Sequence, residues 1–110
     1  MSGVRLVCHS VFEPGRAAEF MDGWTARMAE TRKERGCVQY ESFVSLDDPD
    51  RVVLLEHWTD QETYDEHWTL EQTRGPWPGE DVTREFTIEI YDDHALWELG
   101  EDMKWRPEKR

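Results

Sequence analysis

Residues 38–58 read VQYESFVSLDDPDRVVLLEHW, and their pattern decides the fold. Two β-rich runs, 38–45 and 51–58, flank a turn from Leu46 to Asp50 that is rich in Asp and Pro. A connection that short between strands makes an antiparallel hairpin. Val52 to Leu55 is an unbroken apolar run, as expected of a central strand covered on both faces. Upstream, residues 4–12 form another strand, with Val4, Leu6, Cys8, Ser10 and Phe12 on one side and Arg5, Val7, His9 and Val11 on the other. Glu13-Pro14-Gly15 ends it, and 16–35 has helical spacing, with Ala17, Phe20, Met21, Trp24, Met28 and Thr31 on one stripe. Gly36 is placed to end that helix.

Downstream of Trp58, Thr59 and Glu62 have capping-box spacing and predict the start of a second helix. Tyr64, His67, Trp68 and Glu71 share one face of it. Residues 74–79, RGPWPG, cannot continue a helix. They are either a lid over a pocket or a plain connector. Residues 83–91 alternate as a fourth strand, with Phe86, Ile88 and Ile90 expected toward the core. The order β-α-β-β-α-β predicts an α+β, ferredoxin-like split: an antiparallel sheet with both helices on one face. The other sheet face then needs a cover, and a two-fold dimer that stacks two sheets supplies one. Residues 1–91 form a single domain in this reading. The tail, 92–110, is expected to be partly helical, packing on its own subunit or on the dimer partner.

Composition narrows the function. The chain has 110 residues, 25 acidic and 13 basic, for a net charge of −12. That balance argues against nucleic acid and anionic membrane surfaces as partners. Six Trp, three Tyr and four Phe are too much aromatic surface for a disordered acidic chain. No apolar run is long enough to span a bilayer, and the N-terminus lacks a signal-peptide pattern. Cys8 and Cys37 have no metal or redox spacing and read as reduced thiols. These features predict a cytoplasmic protein. The acids are expected to mark a solvated surface.

Several pieces in order resemble the antibiotic biosynthesis monooxygenase family of dimeric α+β barrels. They are Pro14-Gly15-Arg16 with Glu19-Phe20, Glu34 through Glu41, Asp47-Asp48-Pro49, Glu56-His57-Trp58, and Glu62, Tyr64 and His67. The resemblance covers about residues 4–72, and the element order extends it through 91. It implies a homodimer with one pocket per subunit between sheet and helices. It also implies a small aromatic substrate, of polyketide, anthrone or quinol type, oxygenated by O2 without metal or other cofactor.

Such chemistry has a physical requirement. Triplet oxygen reacts sluggishly with closed-shell molecules, but a deprotonated hydroquinone or anthrone can supply the electron itself. The protein then provides a dry aromatic pocket, a base and a proton donor. Trp58 and Tyr64 match the Trp and Tyr, six apart, that some anthrone oxygenases of the family carry. With His67, one turn further on, they are the candidate catalytic residues. His9, Trp24, Met28, Tyr40, Trp68 and Arg84 are candidate pocket residues. The plain alternative for each aromatic is core packing. Arg84 has a second option, an outward-reaching strand end.

No metal site is expected, since no HxxxH, HExxH or Cys/His cluster exists. Haem degradation on this fold is disfavoured, because the ligand His expected ten residues after the helix-two Trp position is Trp77 or Pro78. A non-redox cyclase, an isomerase or a ligand-binding dimer on the same fold is the alternative to oxygenation.

Overall fold

The computed structural model describes residues 3–92 and 97–107 of the chain. Its elements run β1 (Val4–Phe12), α1 (Ala17–Thr31), β2 (Cys37–Val44), β3 (Arg51–Trp58), α2 (Gln61–Glu71), a 3-10 turn (Glu80–Val82), β4 (Thr83–Asp92), β5 (Trp97–Leu99) and β6 (Trp105–Pro107). The first four strands make one antiparallel sheet in the order β2-β3-β1-β4. This is the ferredoxin-like α+β arrangement that the hairpin predicts. β1 and β3 are the inner strands, which explains the apolar run in β3.

Strand parity divides the molecule. Val4, Leu6, Cys8 and Phe12 of β1 and Val52, Leu54, Glu56 and Trp58 of β3 point to the helices and are buried. With Phe20 and Trp24 of α1 and Tyr40 of β2 they form the core. Phe12, Phe20, Trp24 and Tyr40 make a continuous aromatic row, with successive centroids 4.9, 5.4 and 6.0 Å apart. The opposite face carries Val7, Val11, Val53 and Leu55, half-buried, and Phe43 and Tyr91, exposed.

The helix ends follow local chemistry. Gly36 has φ +80°, and a Cβ there would come within 2.4 Å of the Thr63 side chain. Only glycine both takes that backbone angle without strain and lets α2 approach so closely. The cap of α2 differs from the expected one. Asp60, not Thr59, is the N-cap, and its carboxylate accepts from the Thr63 amide at 2.8 Å. Both residues favour the cap position, but Thr59 is engaged one step earlier, its amide bonded to the Gly36 carbonyl at 2.9 Å.

Two further expectations need correction. Phe86, Ile88 and Ile90 do face the helix side, opposite Ser10, Cys8 and Leu6, but they are 40%, 39% and 54% exposed. The helices lie nearest β2 and β3, so the outer strand β4 is left open on that side. The described part of the tail is a hairpin rather than helical turns. β5 pairs with β6 through Trp97–Pro107 and Leu99–Trp105. Paired residues share a face, so one side of this hairpin is wholly apolar while Glu98 and Arg106 occupy the other. The period of two in Trp97-Glu98-Leu99 and Trp105-Arg106-Pro107 suits a strand and not a helix. No helix among the described residues is long and apolar enough to cross a membrane.

Candidate active site

Between α2, the 75–80 loop and the open part of the sheet lies a cleft of about 550 Å³. Ser10, Trp68, Gln72, Trp77, Pro78 and Phe86 are among the residues that line it. Adjoining it is a narrow chamber of about 10 Å³, close to the room of one water. Trp68, Glu71 and Trp77 belong to both spaces. Cys8, Tyr40, Glu56, Tyr64 and His67 line the chamber alone.

The loop between the two spaces is a fastened connector. The Arg27 guanidinium donates to the Pro76 carbonyl at 2.9 Å. A Cβ on Gly23 would come within 2.7 Å of Pro78, and one on Gly79, at φ +74°, within 2.8 Å of Phe20. Both glycines therefore let the loop lie directly on α1. Trp77 completes the attachment, 6.0 Å from Trp24 and edge-on to Phe86 at 5.0 Å.

His67 is the centre of the chamber. It is 3% exposed, and Trp58 and Tyr40 pack on its ring at 4.6 and 5.5 Å. Its Nδ1 meets Glu34 Oε1 at 3.0 Å. The second Glu34 oxygen accepts from Arg74 at 3.0 Å. In the tautomer that donates Nδ1–H to Glu34, Nε2 is the ring's lone pair. That Nε2 lies 3.9 Å from Glu56 Oε1 and 3.9 Å from Glu71 Oε2, beyond direct hydrogen bonding to either.

Both neighbouring carboxyls are buried, and they are held differently. Glu71 is paired with Arg27 and with Arg74, the latter at 2.9 Å. Among the described residues, no Lys or Arg is paired with Glu56. It accepts from Trp58 Nε1 at 3.1 Å and from the Cys8 thiol at 3.4 Å. Burial pushes the Glu56 carboxyl above its ordinary range, and Glu71 adds to this, while Trp58, His67 and Cys8 oppose it. The chamber's other acids rise for the same reasons. Burial, then Glu56, push the Tyr64 hydroxyl up to about 12, and the Tyr40 hydroxyl and Cys8 thiol also go up. Both phenols are therefore hydrogen-bond donors at neutral pH.

Of the residues singled out from sequence, His67, Tyr64, Tyr40 and Trp68 meet around these two spaces. Trp58 is fully buried and lines neither, touching the site through Glu56 and His67. Trp24 is a core residue, its indole donating to Ser42 at 3.1 Å, and Met28 packs against the same core. His9 lies on the opposite sheet face, bonded to Glu89 at 3.1 Å, because its parity is that of Val7 and Val11. Arg84 is exposed and lines neither space. The acids are not all solvated: Glu34, Glu56 and Glu71 build the chamber's charge network. Among the described residues, no three His, Cys, Asp or Glu are grouped to hold a metal ion.

The model of the antibiotic biosynthesis monooxygenase family matches residues 4–74. The chain belongs to this family. The match covers every element from β1 to α2, including Glu56, His67 and Glu71. Solved structures agree on the fold. A conserved protein from Methanosarcina mazei Go1 is 26% identical, with TM-score 0.70 over 86% of this chain and 95% of that one. A Pseudomonas aeruginosa protein is 23% identical, with TM-score 0.70 over 84% and 94%. A structure described as an antibiotic biosynthesis monooxygenase is 23% identical, with TM-score 0.64 over 81% and 96%. No curated protein matches the chain.

Proposed function

We propose that this monooxygenase-family protein oxidises a planar, electron-rich aromatic molecule of quinol, anthrone or aromatic polyketide type, using O2 and no bound cofactor. One observation carries the reading. A cleft lined by aromatic side chains shares Trp68, Glu71 and Trp77 with a small chamber, and that chamber is lined by a buried histidine whose Nδ1 meets Glu34. Flat rings suit a cleft lined by Trp68, Trp77 and Phe86. His67 takes the substrate proton, and the resulting anion is what reacts with O2. Tyr64 is the donor closest in chemistry to what a developing oxyanion needs. Substrate entry requires Trp68 or Trp77 to turn, since the chamber itself is too small for a ring.

The functional unit in this reading is a homodimer. The apolar face made by Val7, Val11, Phe43, Val53 and Leu55 is the surface a second copy would cover. The deciding experiment is oxygen uptake by chelator-treated protein with a model anthrone and a model quinol. Uptake above the uncatalysed rate is expected. Rearranged product without uptake would instead assign a non-redox cyclase or isomerase. Sedimentation at micromolar concentration tests the dimer, and a monomer there would remove it.

A further inference from the structure

The charges around His67 can be counted. Arg27 and Arg74 face the chamber's network from α1 and the 74–79 segment, and Glu34 and Glu71 oppose them one for one. Cys8 of β1, Tyr40 of β2 and Tyr64 of α2 complete the wall as neutral hydroxyl and thiol groups. What is left is Glu56 and His67. A neutral pair and an ion pair contain the same number of protons, and both leave the buried network uncharged overall. Charging one alone would leave a net charge on groups that are both buried, which is costly.

We infer that Glu56 and His67 share one proton across the chamber, and that Glu56 stores it while His67 acts as the base. In the resting pair Glu56 is a neutral acid and His67 Nε2 a lone pair. Glu56 is thus the acid of the pair and His67 its base.

The chemistry rests on the monooxygenase reading, in which a methylene and O2 become a carbonyl and water. His67 removes one proton from the methylene. The carbanion passes an electron to O2, the two radicals join in a C–O bond, and the peroxide anion takes its proton back from His67. His67 then removes the second C–H proton. The O–O bond breaks, the carbonyl forms, and hydroxide leaves as water with a proton relayed from Glu56. The final state is ionised Glu56 beside a doubly protonated His67. Proton return through a water in the chamber, bridging the 3.9 Å gap, restores the resting pair. Both methylene hydrogens end in the water, and the methylene carbon is oxidised as O2 is reduced.

The test separates the pair from the activity. Carbon NMR of the Glu56 carboxyl and nitrogen NMR of the His67 ring, in wild-type protein without substrate, should show a protonated acid and a neutral, Nδ1-protonated ring at neutral pH. An ionised Glu56 beside a doubly protonated His67 would overturn the inference. If quinols and anthrones are turned over, Glu56→Gln should lower kcat by about 100-fold with little change in KM, and Glu56→Asp should restore part of it. A Glu56→Gln variant that folds and keeps both wild-type kcat and the wild-type titration of His67 would also overturn it. If wild-type protein turns nothing over, the functional reading fails, and the spectra still decide whether the proton is shared.

Discussion

The indole of Trp58 lies nearly flat on the imidazole of His67, centroids 4.6 Å apart and planes 27° apart, while its Nε1 donates to Glu56 at 3.1 Å. One side chain thus sets both the tilt of the base and the position of its acidic neighbour. Trp58→Phe keeps a ring on His67 but leaves Glu56 Oε1 without its indole donor. A loss of about 1–3 kcal/mol is expected, measured by urea unfolding. A loss within error would show that the bond contributes nothing net.

The raised Glu56 carboxyl makes stability depend on pH in a fixed direction. The folded state holds the proton more tightly than the unfolded chain. Below the ordinary glutamate range, both states are protonated and the group is neutral in effect. As pH rises past that range, the unfolded chain loses its proton first and the fold is destabilised. Glu56→Gln removes this term. Its stability relative to wild type should therefore be higher at pH near 8 than at pH near 4.5. Urea midpoints at the two pH values test the sign, and the opposite trend would mean that Glu56 is stabilised as the anion.

Arg74 ties three elements together. It reaches Glu71 at 2.9 Å, Glu34 at 3.0 Å and the Thr31 hydroxyl at 3.2 Å. Arg74→Leu leaves two carboxylates short of a cation, one of them 4% exposed. Removing one side of a buried pair typically costs about 3–5 kcal/mol. Thermal and urea unfolding should show a loss near the lower figure, because Arg27 still holds Glu71.

Gly36→Ala combines a left-handed backbone with a Cβ only 2.4 Å from Thr63. The backbone alone costs about 1–2 kcal/mol, and α2 must shift as well. The expected result is a destabilised protein with a raised KM, since α2 carries Trp68 and His67. Unchanged stability would mean that the loop before β2 rearranges freely.

Trp77→Ala opens the partition between cleft and chamber. It also removes the edge contact to Phe86 at 5.0 Å. Affinity for a flat aromatic ligand should fall about tenfold or more, as for a buried aromatic anchor. Fluorescence titration with a non-reactive quinone would measure it, and unchanged affinity would place the ligand elsewhere.

The frame of the molecule was legible because turn residues and strand parity are local signals. Asp47-Asp48-Pro49 fixes the hairpin, and the alternation through β1 separates Leu6 and Cys8 from Val7 and His9. The parity of β3 also contains a signal for Glu56, which shares a side with Val52, Leu54 and Trp58. Reading the acids mainly as a solvated surface hides it. Glu34 is different, because the arginine that makes its burial tolerable stands 40 residues away in sequence. Glu71 has one local partner in Arg74, three residues on, but its other arginine is 44 residues away, so the full pairing exists only after folding. His9 is a pocket candidate in the sequence because a strand has two sides and the sequence does not say which one the helices cover. Arg84 shares the parity of Phe86 but stands exposed near the start of β4, the outward-reaching alternative.

The attachment of the 75–79 loop has a kinetic meaning. A segment pinned through Pro76, Trp77, Pro78 and Gly79 to one helix cannot swing as a cover, so the slot keeps one width. Ligands are then sorted by thickness at the threshold rather than by a closing motion after arrival. Rotation of a single indole, rather than movement of backbone, sets how fast they pass inward.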